Sequence, residues 1–107
     1  DCVPTEPSHF KTSSEELAGD LRIDVRESSE ILQVLEQREP EFVFHLAAQP
    51  IVFESYETPM ETFSVNAMGT ASVLEALRVY DRPCTAIMIT SDKCYDNVEW
   101  THGYMYL

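Results

Sequence analysis

Two short apolar runs flank a long stretch of helical periodicity, and this alternation most constrains the fold. The runs at 42–46 and 85–90 are rich in residues that favour strands. Between them, apolar side chains recur at helical spacing from Phe63 towards Tyr80. When a helix connects two strands in this way, the strands pair in parallel and the crossover is right-handed. The pattern therefore predicts an α/β fold with a parallel sheet.

Two further elements precede these runs and extend the order to strand, helix, strand, helix, strand. A brief strand is predicted over Leu21–Val25, where apolar and polar residues alternate. Residues Glu27–Arg38 carry an amphipathic stripe, and Pro40 stops the predicted helix. The run at 42–46 is suited to a fully buried parallel strand. We expect part of a doubly wound parallel sheet, with about three strands and intervening helices.

The long helix between the apolar runs has a well-marked start. Thr58 is a candidate N-cap, Pro59 stands at the first helical position, and Glu61 completes a capping box. Gly69 lies inside the helical pattern, where glycine costs about 1 kcal/mol relative to alanine. We therefore expect Gly69 to permit close contact with a neighbouring backbone.

Composition limits the partners of this chain. Its 107 residues suffice for one domain, and an apolar content of 44% argues against disorder. Nineteen acidic against seven basic residues give a net charge of −12, which disfavours nucleic acids and anionic membrane surfaces. No apolar run approaches the ~20 residues of a membrane span. The three cysteines show no metal-binding spacing, so we predict reduced thiols, no metal and a cytoplasmic location.

The residues that follow the first apolar run are small and are predicted to border a ligand. Ala47, Ala48 and Gln49 stand where a buried parallel strand ends, and such ends open onto the ligand crevice. Small side chains allow a flat cofactor to approach the backbone, and Gln49 offers an amide. The alternative is a tight strand-to-loop turn without a ligand. His45 is interpreted as a hydrogen-bonded core residue.

The second apolar run is followed by an unusual polar sequence. Thr90, Ser91, Asp92 and Lys93 place two hydroxyls, a carboxylate and an amine at a strand end. An aspartic acid in a cleft can act as a general acid, and a desolvated lysine can act as a base. The alternative is a solvated surface pair of Asp92 and Lys93.

Two other polar residues have open interpretations. Asp24 follows the first predicted strand and is suited either to accept a hydrogen bond from an adenine amino group or to serve as a turn or cap residue. Asn66 is a poor helix former within a helical pattern, so its side chain is expected to have a partner. That partner is either loop backbone beneath the site or solvent.

Most of the chain, from about Asp24 to Tyr104, resembles a known enzyme group. The matching segments are His45–Pro50, Ser55–Tyr56, Pro59, Glu61–Thr62, Asn66, Met68–Thr70, Leu74–Ala76, Thr90–Tyr95, Trp100 and Gly103–Tyr104. Together they resemble the CDP-glucose 4,6-dehydratases, which are extended short-chain dehydrogenases/reductases that use bound NAD. In relatives that act on other nucleotide sugars, the second strand end typically reads Thr-Asp-Glu.

The resemblance implies roles for the residues at the strand ends. Asp24 and Val25 would border the adenine of NAD, and Ala47, Ala48 and Gln49 would line its phosphate and ribose. Thr90 and Ser91 would lie beside the nicotinamide and the sugar. Asp92 would be the acid and Lys93 the base for elimination of water. The implied substrate is a nucleotide sugar, CDP-glucose, and the family also implies homo-oligomers.

The resemblance also implies that this sequence is an internal part of a longer enzyme. The family's glycine-rich first βα unit and its Tyr-x-x-x-Lys pair do not occur among these 107 residues. We expect 1–107 to be the central part of an NAD-binding Rossmann domain, with a lead-in of loop and short helix over 1–20 and a βαβαβ segment over 21–107. The alternatives are a related nucleotide-sugar epimerase or reductase and a non-catalytic remnant or binding module.

Overall fold

A computed structural model describes residues 17–91 of the chain. Helix α1 spans Ser28–Arg38 and is followed by strand β1, Phe42–His45. Helices α2, Val52–Glu57, and α3, Pro59–Phe63, lead into a π-helical turn over Ser64–Met68. Helix α4, Gly69–Tyr80, then leads to strand β2, Thr85–Met88.

The two strands pair in parallel, as the sequence pattern predicts. Phe42 lies opposite Thr85, and the register continues to His45 opposite Met88. One further backbone bond extends the ladder, from the Ile89 N–H to the His45 carbonyl at 3.1 Å. Residues of α1 and α4 pack against Val43 on one face of the sheet.

The core lies where α1 and α4 meet on one face of this sheet. Leu35, Ala76 and Tyr80 are buried there, and the partly buried Val43 and Cys84 pack against them. These side chains come from the apolar stripes of two helices and the inward face of β1. Burial of such stripes supplies most of the stability of helices this short.

The predicted strand over Leu21–Val25 is wrong. Residues 21–24 have no regular structure, and Val25 and Arg26 form a turn. The Arg26 N–H donates to Asp24 Oδ1 at 2.9 Å, and the Glu27 N–H donates to the Asp24 carbonyl at 3.0 Å. A strand needs a neighbouring strand for its backbone groups, whereas the Asp24 side chain satisfies them locally and turns the chain. Within residues 17–91 the sheet accordingly has two strands.

The prediction of a fully buried strand at 42–46 is also wrong. Phe42 and Phe44 are 58% and 59% exposed, whereas His45 is buried. Successive strand residues point to opposite faces, and the described helices cover only one of them. The other face presents apolar side chains, Phe42, Phe44, Leu46, Ile87 and Ile89, among which only Ile87 is less than half exposed. Both strands are also shorter than predicted: β1 ends at His45 and β2 ends at Met88.

The predicted start of the long helix is correct, but the hydrogen bonds at that start differ from the prediction. Pro59 is the first helical residue, as predicted. The capping box is wrong, because the Thr58 hydroxyl donates to the Glu54 carbonyl at 3.0 Å and makes no cap bond. The reason is the short helix α2, which the sequence pattern did not predict and whose last carbonyls face Thr58. Glu61 pairs instead with Arg26, at 2.9 Å.

Gly69 permits a close approach, although its partner is a side chain. A Cβ at Gly69 would lie 2.7 Å from Cγ1 of Val25. The turn at 24–26 is thus held directly against the start of α4.

Within residues 17–91, none of the helices has the length and apolar character that a membrane span requires.

Both long helices end on an acidic residue in the left-handed conformation. Glu39 has φ 45° and Asp81 has φ 47°. Arg82, next to Asp81, forms an ion pair with Glu39 and lies 5.7 Å from the centre of the Tyr80 ring. The two helix ends are therefore joined to each other beside the core.

Replacing Gly69 with alanine is expected to destabilise the protein. Alanine gains about 1 kcal/mol of helix propensity. The new methyl group would press on the β-branched Val25, whose rotation is restricted, and overpacking of this kind costs about 1–3 kcal/mol. Thermal unfolding of G69A, V25A and the double variant measures this coupling. In the V25A background G69A should be stabilising, and equal effects in both backgrounds would disprove the contact.

Replacing Asp81 with glycine is expected to stabilise the protein by about 1 kcal/mol, because glycine adopts the left-handed conformation without steric cost. Asp81→Asn should stabilise by about 0.3–1 kcal/mol, because it removes a negative charge from a helix C-terminus. Asp81→Ala is the control, since it removes the charge and keeps the strained φ. Denaturant titration measures all three, and a glycine variant no more stable than the alanine variant would contradict this account.

Candidate functional site

A cleft of about 720 Å³ opens at the carboxyl ends of the two strands. The loop that follows β1 forms one wall, and residues that follow β2 form another. Ser55, Thr62, Asn66 and Thr70 contribute polar side chains from the helices between the strands. The volume lies within the usual range for small-molecule sites, and the position is where parallel sheets bind ligands.

The cleft brings together five of the predicted site residues. Ala47, Ala48 and Gln49 line it from the end of β1, and Thr90 and Ser91 line it from the end of β2. Ala47 and Ala48 are exposed, and Gln49 is half-buried. The juxtaposition follows from parallel pairing, because equivalent strand ends then lie at one edge of the sheet.

Of the other predicted site residues, two lie within residues 17–91, at some distance from this lining. Asp24 and Val25 lie in the turn before α1 and do not line the cleft. Asp92 and Lys93 lie outside the described residues. Their roles stay predictions.

Asn66 holds the loop that follows β1 and forms one wall of the cleft. Its Oδ1 accepts the Gln49 N–H at 2.7 Å, and its Nδ2 donates to the Gln49 carbonyl at 3.0 Å. The side-chain amide therefore pairs with a backbone amide as a neighbouring strand would. Of the two partners considered from the sequence, loop backbone is the correct one.

The Gln49 side chain is held as firmly as its backbone. Its Nε2 donates to Thr62 Oγ1 at 2.9 Å, and its Oε1 accepts the N–H of Ile51. Thr62 and Asn66 are four residues apart in the helical stretch, so one helix face grips both parts of Gln49. The amide predicted to face a ligand thus also defines the shape of the loop.

His45 is a hydrogen-bonded buried residue, as the sequence indicated. It is 7% exposed, and its Nε2 lies 3.1 Å from Thr70 Oγ1. The Thr70 hydroxyl donates its single proton to the Asn66 carbonyl at 2.7 Å. We therefore assign Nε2 of His45 as the donor and Thr70 Oγ1 as the acceptor of this hydrogen bond.

Arg26 holds Asp24 and joins the turn at 24–26 to the helices. Its guanidinium contacts both Asp24 oxygens, with the shortest distance 2.6 Å, and also reaches Glu61 and Ser64. The Ser72 hydroxyl donates to the Arg26 carbonyl at 2.9 Å. Hydrogen bonds from Arg26 hold the pKa of Asp24 well below its usual range, and the pKa of Arg26 is raised in turn. Asp24 thus serves as a turn residue here, and its contact with adenine stays a prediction.

Sequence reasoning missed three residues of this network. Thr62 and Thr70 flank Asn66 at intervals of four, and a polar stripe at that spacing within an apolar helical pattern was an available signal. Arg26 carried a weaker signal, as a basic residue two positions after an acidic turn residue.

Within residues 17–91 no group of three His, Cys, Asp or Glu side chains is arranged to hold a metal ion.

The sequence was compared with known families and curated proteins. The family model described as GDP-mannose 4,6 dehydratase matches residues 7–102. The CDP-glucose 4,6-dehydratase of Salmonella typhimurium is 43% identical over 95% of this chain and 29% of its own length. The CDP-paratose 2-epimerase of Salmonella typhi is 32% identical over 71% of this chain and 22% of its own length. The chain therefore spans less than a third of these relatives.

Two solved structures share the fold. The UDP-glucose 4-epimerase from Brucella ovis, in complex with NAD, has a TM-score of 0.62 at 32% identity and covers 70% of this chain and 23% of its own. The UDP-glucose-4-epimerase from Stenotrophomonas maltophila, with bound NAD and formylated UDP-arabinopyranose, has a TM-score of 0.67 over 76% of this chain and 24% of its own. Its 22% identity supports the fold alone. These matches confirm the α/β, Rossmann-type prediction.

The resemblance read from the strand-end motifs is confirmed by the same comparisons. The family match covers nearly the whole chain, and the first-named relative is aligned along almost all of it. The chain belongs to the GDP-mannose 4,6-dehydratase family.

Proposed function

We propose that this chain is part of an NAD-dependent dehydratase that converts CDP-glucose to CDP-4-keto-6-deoxyglucose. The observation that carries the proposal is the cleft, where Ala47–Gln49 meet Thr90 and Ser91 at the strand ends. The 43% identity to a CDP-glucose 4,6-dehydratase supports the substrate. A second relative is also named for a CDP sugar, which supports the cytidine base.

The residues of the cleft fit a dinucleotide. Ala47 and Ala48 are exposed and small, so a flat or extended ligand can approach their backbone. Gln49 is fixed by Asn66 and Thr62, so binding need not order this loop. We assign Ala47–Gln49 to the phosphate and ribose of NAD and Thr90 to the nicotinamide side. Asp24 and Val25 are assigned to the adenine.

The proposed chemistry divides between cofactor and side chains. When bound, NAD would supply the hydride chemistry: it would accept hydride from sugar C4 and return it to C6, while C5 regains a proton. The ketone formed at C4 acidifies the C5 proton, and we assign the removal of that proton to Lys93. Asp92 is assigned to protonate the C6 hydroxyl, which leaves as water. Ser91 lines the cleft, and we assign it to the side of the sugar.

A related epimerase is the second candidate, because a UDP-glucose 4-epimerase shares 32% identity and the fold. Lys93 after Asp92 favours the dehydratase, since elimination needs a base for C5. Incubation of the full-length protein with CDP-glucose separates the two by mass spectrometry. A dehydratase yields a product lighter by one water, whereas an epimerase yields one of unchanged mass.

The central-domain assignment of 1–107, the cytoplasmic location and a homo-oligomeric assembly remain predictions. A non-catalytic remnant or binding module is the remaining alternative. The CDP-glucose incubation separates it from the dehydratase, because a protein of that kind would leave the mass of the sugar nucleotide unchanged, and chromatography of the recovered nucleotide sugar separates it from an epimerase.

Asp92→Asn in the full-length protein is expected to abolish water elimination and to leave NAD binding unchanged. The amide cannot donate a carboxylic proton to the departing hydroxyl, and such acid catalysis contributes about 10²–10⁴-fold in rate. Product formation and NAD titration measure the two effects. Asp81→Asn, the same change at the end of α4, is the control and should keep full turnover. Normal turnover of D92N would reject the assignment.

Asn66→Asp is expected to weaken NAD binding about tenfold, the equivalent of roughly 1.4 kcal/mol. Aspartate keeps the acceptor for the Gln49 N–H but places a second oxygen against the Gln49 carbonyl, where Nδ2 now donates. Isothermal titration with NAD measures the loss. Gln33→Glu, an equal charge change on the exposed side of α1, should bind like the parent. Equal affinity of N66D and Q33E would show that the Gln49 loop does not bind the cofactor.

A further inference from the structure

The long helix is interrupted at the cleft by a π-helical turn. Over Ser64–Met68 the helix widens, and the Gly69 N–H bonds to the Ser64 carbonyl, five residues earlier. Such turns are rare and occur frequently at functional sites. Asn66 is the central residue of the turn.

The turn affects which side chains face the cleft. In a regular α-helix, four residues advance about 40° beyond a full turn. Thr62, Asn66 and Thr70 would then drift by about 80° around the helix. A wider turn contains more residues and reduces this drift, so all three side chains line the same cleft.

A chain of hydrogen bonds connects β1 to this turn. The buried His45 donates to Thr70, and Thr70 donates to the carbonyl of Asn66. That carbonyl belongs to the residue whose side chain binds both backbone groups of Gln49. The chain thus begins at the last residue of β1 and returns to the loop four residues later.

His45 and Thr70 line the cleft, and they also act on the loop through Asn66. Thr70 caps the Asn66 carbonyl at the point where the α-helical pattern resumes, as threonine hydroxyls do when helices bend. His45 fixes the Thr70 hydroxyl, because it occupies the oxygen as donor and leaves the proton for Asn66. Without the Thr70 hydroxyl, the hydrogen-bonded connection between His45 and Asn66 is broken.

We propose that His45 and Thr70 are positioning residues that hold the π turn and, through Asn66, set the conformation of the Gln49 loop for cofactor binding. The identity of the cofactor rests on the proposed function. The geometry of the loop does not.

The test replaces Thr70 with valine, which has the same shape but no hydroxyl, in the full-length protein. Hydrogen exchange of backbone amides is followed peptide by peptide, together with NAD titration. In T70V the amides of 46–51 should exchange at least tenfold faster, while those of 73–80 and 85–88 keep the parent rate. The Kd for NAD should rise about fivefold, and T70S, which restores the hydroxyl, should return both values to the parent's.

Thr85→Val is the matched control, because it makes the same change on the exposed side of β2. It should alter neither measurement. His45 provides a second pair of variants if T70V does not fold. H45Q keeps a side-chain N–H donor and should keep the loop protected, whereas H45L should loosen it as T70V does.

Two results would overturn the proposal. One is unchanged exchange at 46–51 in T70V and H45L. The other is faster exchange at 46–51, 73–80 and 85–88 in equal measure, which would indicate a role in stability alone. Failure of the parent protein to bind NAD would instead reject the proposed function, and the exchange rates would still decide whether His45 and Thr70 position the loop.

Discussion

The pairing of Asn66 with the backbone of Gln49 is the interaction on which the rest of the site depends. Its two hydrogen bonds join a helix to a loop that pairs with no strand within residues 17–91. Buried backbone groups must be paired, and a loop at a strand end lacks the ladder that would do so. One side chain supplies both a donor and an acceptor at the required spacing. The wall of the cleft that this loop forms is therefore held in place by a helix side chain.

Opposite charges join the turn before α1 to the helical stretch that carries Asn66. The chain is strongly acidic, yet Arg26 is held in place by Asp24, Glu61 and Ser64 at the outer side of the α3–π–α4 stretch. These contacts are partly exposed, so each contributes little stability by itself. Their effect is geometric, because they join the turn before α1 to the helix that carries Asn66.

The sequence allowed the parallel strands, both long helices and five cleft residues to be predicted, since each depends on local periodicity or on the rule that ligands bind at strand ends. Burial could not be predicted in the same way, because Phe42 and Phe44 look like core residues whether or not a second layer covers them. The strand at Leu21–Val25 was mistaken for a similar reason. Alternation is a local property, whereas pairing needs a neighbour, and the Asp24 carboxylate satisfied the backbone first.

The π turn has a consequence for how the length of this helix can change during evolution. A π turn is geometrically an α-helix with one additional residue. Surface helices can gain or lose residues at their ends with little effect, but a deletion within 64–68 would remove the additional residue and restore an α-helical turn, which would change the direction of the Asn66 side chain relative to the Gln49 loop. The number of residues in this segment is therefore constrained as strictly as their identity. A relative that lacks one residue in this segment would be a protein in which the cleft is built differently.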